Sequence, residues 1–253
     1  MITLEIFRYL VLSWIGIALI LFPILLKITV PYGRHSKTDW GPMIDNKLGW
    51  VLMELPALMV FIFIIFRGEG IRSIPVLIFF ILWILHYTNR TFIFPFRTRT
   101  KGKKMPVTVM SFGIVFNLVN GFINGYWFGF LSPDYPLSWL YNPRFIIGFI
   151  LFISGMVINQ IHDQKLFKLR NSHKKGYFIP YGGLFKYISC PNFLGEIIQW
   201  GGYALMTWCW PTLSFFVWSF ANLIPRAHDH HKWYSGHFKD YPKERKAIFP
   251  YIF

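Results

Sequence analysis

Acidic residues, cysteines and glycine-rich phosphate loops are scarce or missing in this 253-residue sequence. Only 15% of its residues are charged, against 54% that are hydrophobic and 21% that are aromatic, which excludes an ordinary soluble domain. The two cysteines, Cys190 and Cys209, give neither a disulfide framework nor a zinc-ligand spacing. No GxGxxG motif follows a strand, so a nucleotide site of the Rossmann type is excluded.

Long apolar runs predict an all-α, polytopic membrane protein with a single domain over residues 1–253. Seven runs are long enough to form transmembrane helices, at roughly 6–30, 48–66, 73–95, 106–130, 143–163, 192–209 and 211–226. The first run is long enough to remain as a span and is not a cleavable signal. Pro211 lies between the last two runs and predicts a very tight turn that joins them as an antiparallel hairpin.

Positive charge is concentrated in alternate loops of this arrangement. The net charge is +15, and most of the 26 Lys and Arg residues fall within 34–47, 90–104, 165–186 and 226–246. By the positive-inside rule these segments and the C-terminus are cytoplasmic, and the N-terminus lies outside. Two explanations of this charge remain open: contact with anionic lipid headgroups, or a basic binding surface for a polyanion such as a dinucleotide. The placement does not favour nucleic acid.

Polar side chains interrupt several of the apolar runs. Glu54 in WVLMELPALMV lies in mid-span, where a carboxyl group favours a functional role, with a buried pair to Arg or His as the alternative. Tyr87 in ILHYTNRTF lies near the cytoplasmic end of the third helix, where a lone tyrosine is more often an interfacial anchor. Asn117, Asn120 and Asn124 form a stripe on the fourth helix, which we interpret as hydrogen bonding between helices.

Two further polar pairs lie at the edges of the fifth and sixth helices. Asn159 and Asp163 are four residues apart, as are Asn192 and Glu196, so each pair shares one face of its helix. Either these side chains line a cofactor cavity, with Arg170 and the basic loops near the phosphates, or they bond the two helices to each other.

The histidines and the lack of internal repeats narrow the chemistry. His228, His230 and His231 form one compact group and the other histidines are scattered, so the clusters of a di-iron centre are missing and no metal is expected. A transporter would show repeated halves or broken helices in matching positions, and the sequence shows neither, so a transporter is not favoured. A reductase or transferase with a large anionic cofactor fits the cations, amides, carboxylates and aromatic residues best.

Four segments carry long and specific patterns: LHYTNRTFIFP, GMVINQIHDQKLFKLR, YFIPYGGLFKYISCPNFLGEIIQWGGYAL and HHKWYSGHFKDYPKERKAIFPYIF. They resemble the steroid 5α-reductase family of membrane enzymes, over most of the chain from the second helix onward. The resemblance implies a seven-helix fold that reduces the 4,5 double bond of 3-oxo-4-ene steroids with NADPH. The short chain without a retention signal favours a bacterial member in the inner membrane; a eukaryotic member would lie in the endoplasmic reticulum.

The resemblance also implies roles for individual residues. Glu54 and Tyr87 match the pair that grips the substrate carbonyl. Eight residues, within a cofactor-binding part of about 100–253, match positions that line the NADPH pocket: Asn159, Asp163, Arg170, Asn192, Glu196, Arg226, His230 and Tyr234. The third loop, FRTRTKGKK, departs from the vertebrate pattern, so phosphate contacts by Arg97, Arg99 or Lys103 are not assigned individually.

This chemistry predicts how the carbonyl pair acts. Hydride that reaches the β carbon places charge on the carbonyl oxygen, and the resulting enolate needs hydrogen-bond donors. Tyr87 is one donor, and Glu54 is the other in its protonated form. A flat steroid would enter from the bilayer, with Trp50, one turn before Glu54, as a candidate wall. We expect the protein to act as a monomer.

Two functions of other classes remain as alternatives. A membrane methyltransferase of the isoprenylcysteine or phospholipid type, which uses S-adenosylmethionine, has a related C-terminal layout. Such enzymes use a Glu-Glu pair after an Arg, whereas Arg226 is followed here by Asp229, His230 and His231. A non-catalytic sterol-binding protein would need none of the paired polar residues.

Overall fold

The computed structural model is mostly helical and describes residues 2–31, 33–98, 102–172 and 176–253. Its helices are α1 (Leu4–Leu25), α2 (Asn46–Arg67), α3 (Ile74–Thr88), α4 (Phe94–Arg97), α5 (Val107–Tyr126), α6 (Pro143–Ser172), α7 (Pro191–Thr207) and α8 (Trp210–His237). Single π-helical turns follow α3 over Asn89–Ile93 and α5 over Trp127–Leu131, and 3-10 turns lie at Gly33–His35, Leu137–Tyr141 and Gly183–Lys186. Two short strands, β1 (Met43–Asp45) and β2 (Lys104–Pro106), pair antiparallel, with Met43 opposite Pro106.

Five helical segments of the described residues are long and apolar enough to cross a membrane: Leu4–Leu25, Asn46–Arg67, Ile74–Arg97, Val107–Leu131 and Pro143–Arg170. They coincide with the first five predicted spans. Large apolar side chains on them, such as Ile20, Phe63 and Phe112, are exposed, as contact with acyl chains requires. The chain is therefore an all-α integral membrane protein.

Helices also occur at the positions of the sixth and seventh predicted spans. Only Trp208 and Cys209 separate α7 from α8, and Trp208 has the left-handed conformation that ends many helices. The predicted tight turn is therefore confirmed. The number of seven spans and the orientation of the two termini stay predictions.

The chain folds into two compact units, each with an aromatic centre. The first unit comprises Met1–Arg8 and Val30–Phe145, and the second comprises Tyr9–Thr29 and Ile146–Phe253. In the first unit the ring of Trp83 stacks on Phe61 at 4.6 Å between centroids, and its N–H donates to the Ala57 carbonyl at 3.1 Å. In the second unit Trp200 packs against Phe215 at 4.2 Å between centroids.

Glycines let α5 approach α2 closely within the first unit. A Cβ atom on Gly125 would lie 3.1 Å from both the Phe61 carbonyl oxygen and the Ile64 side chain. Asn117 lies on the same helix, and its side-chain amide donates to the Met53 carbonyl of α2 at 2.7 Å. Small residues that bring two backbones together are typical of helix pairs in membranes. This close approach brings Asn117 of α5 into hydrogen-bond contact with α2.

A second glycine seam joins α6 to α7 in the second unit. Gly148 and Gly155 on α6 face Gly202 and Gly195 on α7, so the helices run antiparallel. A Cβ atom on Gly195 would lie 2.5 Å from the backbone nitrogen of Asn159 and 2.7 Å from the Gly155 carbonyl oxygen. The seam therefore places the backbone at Asn159 directly against the first turns of α7.

The C-terminal segment holds the stretch that leads into α7. Ile188 and Lys246 form a parallel β-bridge. The backbone N–H groups of Ser189 and Cys190 donate to the carbonyls of Lys246 and Ala247 at 2.8 and 3.1 Å. These bonds fix the chain immediately before the first residues of α7, where two of the candidate site residues lie.

Candidate active site

Glu54 is buried in α2 and pairs with Arg90. The side chain of Glu54 is only 9% exposed, and its Oε1 lies 3.2 Å from Nη2 of Arg90. Arg90 was expected in a cytoplasmic loop, but it lies in the π-helical turn after α3, three residues beyond Tyr87. A buried pair with Arg is the alternative that the sequence left open for Glu54.

Trp50 fixes Arg90 from the α2 side. The indole N–H of Trp50 donates to the Arg90 carbonyl at 3.0 Å. The guanidinium carbon of Arg90 lies 4.7 Å from the Trp50 ring centroid and 5.0 Å from that of Phe94, within the range of cation–π attraction. Trp50 thus supports the contact of Arg90 with Glu54, and its role as a wall for a steroid stays a prediction.

Tyr87 is buried in α3 and is hydrogen-bonded to α5. Its side chain is 2% exposed, and its hydroxyl oxygen accepts from Nδ2 of Asn120 at 3.0 Å. Nδ2 of Asn124 in turn donates to Oδ1 and to the backbone carbonyl of Asn120, each at 3.0 Å. Asn117 and Asn120 bond α5 to neighbouring helices, as predicted, whereas Asn124 bonds to Asn120 on its own helix. The partner of Asn120 is the hydroxyl of a candidate catalytic residue.

Three predicted cofactor residues form one hydrogen-bonded cluster between α6 and α7. Nδ2 of Asn192 donates to Oδ1 of Asp163 at 3.0 Å, and Nδ2 of Asn159 donates to the Asn192 carbonyl at 3.1 Å. Gln160 donates to Oδ1 of Asn159 at 3.3 Å. Glu196 is half-buried one turn after Asn192 and makes no hydrogen bond or ion pair with any described residue. The cluster therefore bonds α6 and α7 to each other. The Glu196 carboxylate on α7 is an acceptor that takes no part in these bonds.

Of the residues predicted on α8, His230 lies near the start of α7. The ring of His230 stacks on Phe193, the neighbour of Asn192, at 5.7 Å between centroids. Tyr234, one turn further along α8, is buried and stacks on Tyr241 at 5.3 Å. The structure thus brings His230 to the helix end that carries the cluster.

The predicted arginines are distributed along helices. Arg170 is half-buried and lies two turns beyond Asp163 on α6, and Arg226 is half-buried one turn before His230 on α8. Arg97 is the last residue of α4. Arg99 lies outside the described residues, so its predicted phosphate contact has no structural account.

A buried network around Ser189 was missed from the sequence. Its hydroxyl lies 2.7 Å from Nδ1 of His231 and 2.6 Å from the Tyr241 hydroxyl, and it donates to the Lys246 carbonyl at 3.1 Å. Burial lowers the pKa of His231, and the charges of His228 and Lys246 act in the same direction. Burial also raises the pKa of Tyr241, against hydrogen bonds with Ser189 and Arg245 that lower it. No spacing in the sequence indicates this network, because its members lie on three separate segments.

Together these features define a helical integral membrane protein with buried amides, carboxylates and a tyrosine inside its helix bundles. The family model described as 3-oxo-5-alpha-steroid 4-dehydrogenase matches residues 103–253. The steroid 5-alpha-reductase DET2 of Gossypium hirsutum is 40% identical over 253 residues, which cover 98% of this chain and 97% of that protein.

Two further relatives come from a plant and a mammal. DET2 of Arabidopsis thaliana is 39% identical over 237 residues, with 91% of this chain and 90% of the relative covered. The human 3-oxo-5-alpha-steroid 4-dehydrogenase 1 is 38% identical over 224 residues, with 88% and 86% covered. The chain belongs to the 3-oxo-5-alpha-steroid 4-dehydrogenase family, a family of oxidoreductases, which confirms the resemblance inferred from its motifs. A bacterial origin stays a prediction.

Proposed function

We propose that this protein reduces the 4,5 double bond of 3-oxo-4-ene steroids with NADPH. The relatives are named for steroid 5α-reduction, and this chain matches them over most of its length. The observation that carries the proposal is in the first unit. Glu54 and Tyr87, two groups able to bind a carbonyl oxygen, are buried and each is held by a neighbouring side chain.

In the proposed reaction these two side chains stabilise charge on the substrate carbonyl. NADPH supplies the hydride when bound, and the steroid oxygen then gains the charge of an enolate. The Tyr87 hydroxyl donates a hydrogen bond to that oxygen. A protonated carboxyl keeps acceptor capacity, so Glu54 can accept from Arg90 on Oε1 and donate from its other oxygen. A proton then reaches the α carbon from Tyr87 or from water.

The polar cluster of the second unit fits a nicotinamide cofactor. The half-buried carboxylate of Glu196, which has no partner in the described part of the chain, lies one turn after Asn192 on α7, and the carbonyl of Asn192 accepts from Asn159. Such acceptors and donors match the carboxamide and ribose hydroxyls of NADPH, and arginines suit its phosphates. We assign to the cofactor the eight residues predicted from the family: Asn159, Asp163, Arg170, Asn192, Glu196, Arg226, His230 and Tyr234.

In the membrane, we propose seven spans, an external N-terminus and a cytoplasmic C-terminus, following the distribution of Lys and Arg. The steroid is taken from the bilayer by a monomer, in the inner membrane of a bacterium or in the endoplasmic reticulum of a eukaryote. A reporter enzyme fused after Phe253 should be active only in the cytoplasm. Activity confined to the other side would reject this topology.

Cofactor binding and steroid turnover test the function directly. Purified protein in detergent is titrated with NADPH and, in parallel, with S-adenosylmethionine. It is then supplied with a 3-oxo-4-ene steroid and NADPH. We expect binding of NADPH and formation of the 5α-reduced steroid. Binding of S-adenosylmethionine alone would favour a methyltransferase, and steroid binding without reduction would favour a sterol-binding protein.

A further inference from the structure

The asparagine stripe on α5 does more than join helices. We propose that Asn120, oriented by Asn124, is a positioning residue that fixes the Tyr87 hydroxyl as a hydrogen-bond donor. This inference rests on the proposed function, because the acceptor of that proton would be the substrate carbonyl. It adds to the carbonyl pair a residue that never touches the substrate.

The orientation of the Asn124 side-chain amide follows from its contact with the backbone of Asn120, one turn earlier on α5. Its terminal amide atom lies 3.0 Å from the carbonyl oxygen of Asn120, and a carbonyl oxygen only accepts. Asn124 must therefore present its NH2 group. Its own Oδ1 is buried and has no hydrogen-bond partner in the described part of the chain. The side chain keeps this orientation even so, since the reverse would face two carbonyl oxygens to each other.

The orientation of Asn120 follows in turn. The same NH2 group of Asn124 lies 3.0 Å from the side chain of Asn120, which must therefore present Oδ1 there. The NH2 group of Asn120 is then on the other side, 3.0 Å from the Tyr87 oxygen. An NH2 group only donates, so the Tyr87 oxygen accepts.

This polarity decides what Tyr87 does with its own proton. A phenol has one proton, and Asn120 cannot accept it in this arrangement. The proton is therefore directed to another acceptor. A hydroxyl that accepts a hydrogen bond is polarised and becomes a better donor, which is what a developing enolate requires. All three side chains are almost completely buried, so water does not compete for these bonds.

Asn117 provides a matched control on the same helix. It lies one turn before Asn120, is also buried, and donates to the Met53 carbonyl at 2.7 Å. Its side-chain amide makes one hydrogen bond between helices but none to Tyr87. Asn117→Ala should therefore lower the melting temperature much as Asn120→Ala does, while kcat stays close to the wild-type value.

The kinetic test is a double-mutant cycle between Asn120 and Tyr87. Asn120→Ala should lower kcat about tenfold, as the loss of one such bond predicts, with KM almost unchanged. Asn120→Asp should lower kcat further, because a carboxylate draws the Tyr87 proton to itself. In a Tyr87→Phe background neither change should add to the loss. Equal losses in both backgrounds would show a merely structural role and overturn the proposal.

A spectroscopic test does not depend on turnover. In protein labelled with 13C at the tyrosine Cζ position, the Tyr87 resonance is assigned by its disappearance in Tyr87→Phe. It should shift in Asn120→Ala, shift less in Asn124→Ala, and stay in place in Asn117→Ala. Asn124→Ala also replaces Asn120→Ala if the latter does not fold. An unmoved resonance in both variants rejects the inference. If the resonance shifts in these variants but the wild-type protein reduces no steroid, only the proposed function is rejected.

Discussion

The two units hold their buried polar groups in different ways. In the first unit, each candidate catalytic group is bonded by a side chain from another element, Glu54 by Arg90 and Tyr87 by Asn120. In the second unit, the amides bond across one helix seam, and Glu196 has no partner within the ranges that the structure describes. The first arrangement suits a small, fixed target such as one carbonyl oxygen. The second leaves an acceptor for a larger ligand.

The glycine seams account for part of this difference. On α5 the asparagines lie between the glycines of the seam, and Asn117 and Asn120 bond to neighbouring helices. On α6, Asn159 comes after the seam glycine Gly155, and on α7, Asn192 comes before Gly195. The second cluster therefore lies at one end of its seam. In this second cluster Asn159 and Asp163 are buried, whereas Asn192 and Glu196 are half-buried.

Substitution of Glu54 or Tyr87 should have the largest effect on kcat. It should leave the second unit and its binding of NADPH unaffected. Glu54→Ala and Tyr87→Phe should each lower kcat about 10²–10³-fold, because each removes one oxyanion-type hydrogen bond. Glu54→Gln should retain part of the activity, since its carbonyl still accepts from Arg90 and its NH2 still donates. The measurement is turnover of a 3-oxo-4-ene steroid, with the melting temperature and NADPH affinity of each variant.

The contact between Glu54 and Arg90 provides the alternative that this experiment can reveal, a structural role for Glu54. If the charge of Glu54 mainly balances Arg90, then Glu54→Gln and Glu54→Ala should both destabilise the fold, because a buried cation is left without its partner. Wild-type turnover by Glu54→Ala would end its assignment to the carbonyl. NADPH affinity should stay unchanged in Tyr87→Phe, which serves as the control for the second unit.

Loss of the second-unit cluster should weaken cofactor binding. Asn192→Ala and Glu196→Ala should each cost about 1–3 kcal/mol of NADPH affinity, the usual cost of one buried hydrogen bond. Glu196→Ala should leave the melting temperature of the NADPH-free protein almost unchanged, since it removes no bond among the described residues. Asn192→Ala should lower it through the lost bond to Asp163. Unchanged NADPH affinity in both variants would remove these residues from the cofactor site.

Much of this arrangement could be predicted from sequence periodicity. Helix positions follow from apolar runs, and the pairs Asn159/Asp163 and Asn192/Glu196 follow from four-residue spacing. The partner of Glu54 could not be found in this way. Arg90 is one of the basic residues that predict a cytoplasmic loop, whereas the structure places it in the π-helical turn after α3, 3.2 Å from Glu54 of α2. Contacts between distant segments depend on backbone geometry that spacing alone does not contain.

The asparagine stripe shows the same limit within one helix. Its spacing correctly predicts bonds between helices, as Asn117 shows. The sequence does not distinguish a bond to a backbone carbonyl from one to the hydroxyl of the candidate catalytic residue Tyr87. That distinction depends on which helix faces each turn of α5, and Tyr87 faces the turn of Asn120.

Cofactor preference tests whether the basic residues of the second unit recognise phosphate. If Arg170 binds the 2′-phosphate of NADPH, Arg170→Ala should lower kcat/KM for NADPH about tenfold and leave that for NADH unchanged. Lys168→Ala, a nearby cation on the same helix, is the control. Equal efficiency of the wild-type protein with both cofactors would mean that these cations serve topology and lipid contact only.

The smallest effect should be a dependence of stability on pH that arises at the entry to α7. Burial holds the pKa of His231 below its ordinary value of 6.5, so the folded state favours the neutral ring. As the pH falls below about 6.5, the unfolded state binds more protons than the folded state, so stability decreases until the pH reaches the lowered pKa, below which this group causes no further loss. The melting temperature should therefore decrease on acidification from about pH 8 to pH 5, and less so in His231→Gln. Tyr241→Phe removes the other bond to Ser189 but no group that titrates in acid, so it should lower the melting temperature and keep the wild-type slope. An identical slope in His231→Gln would locate the acid sensitivity outside the Ser189 network.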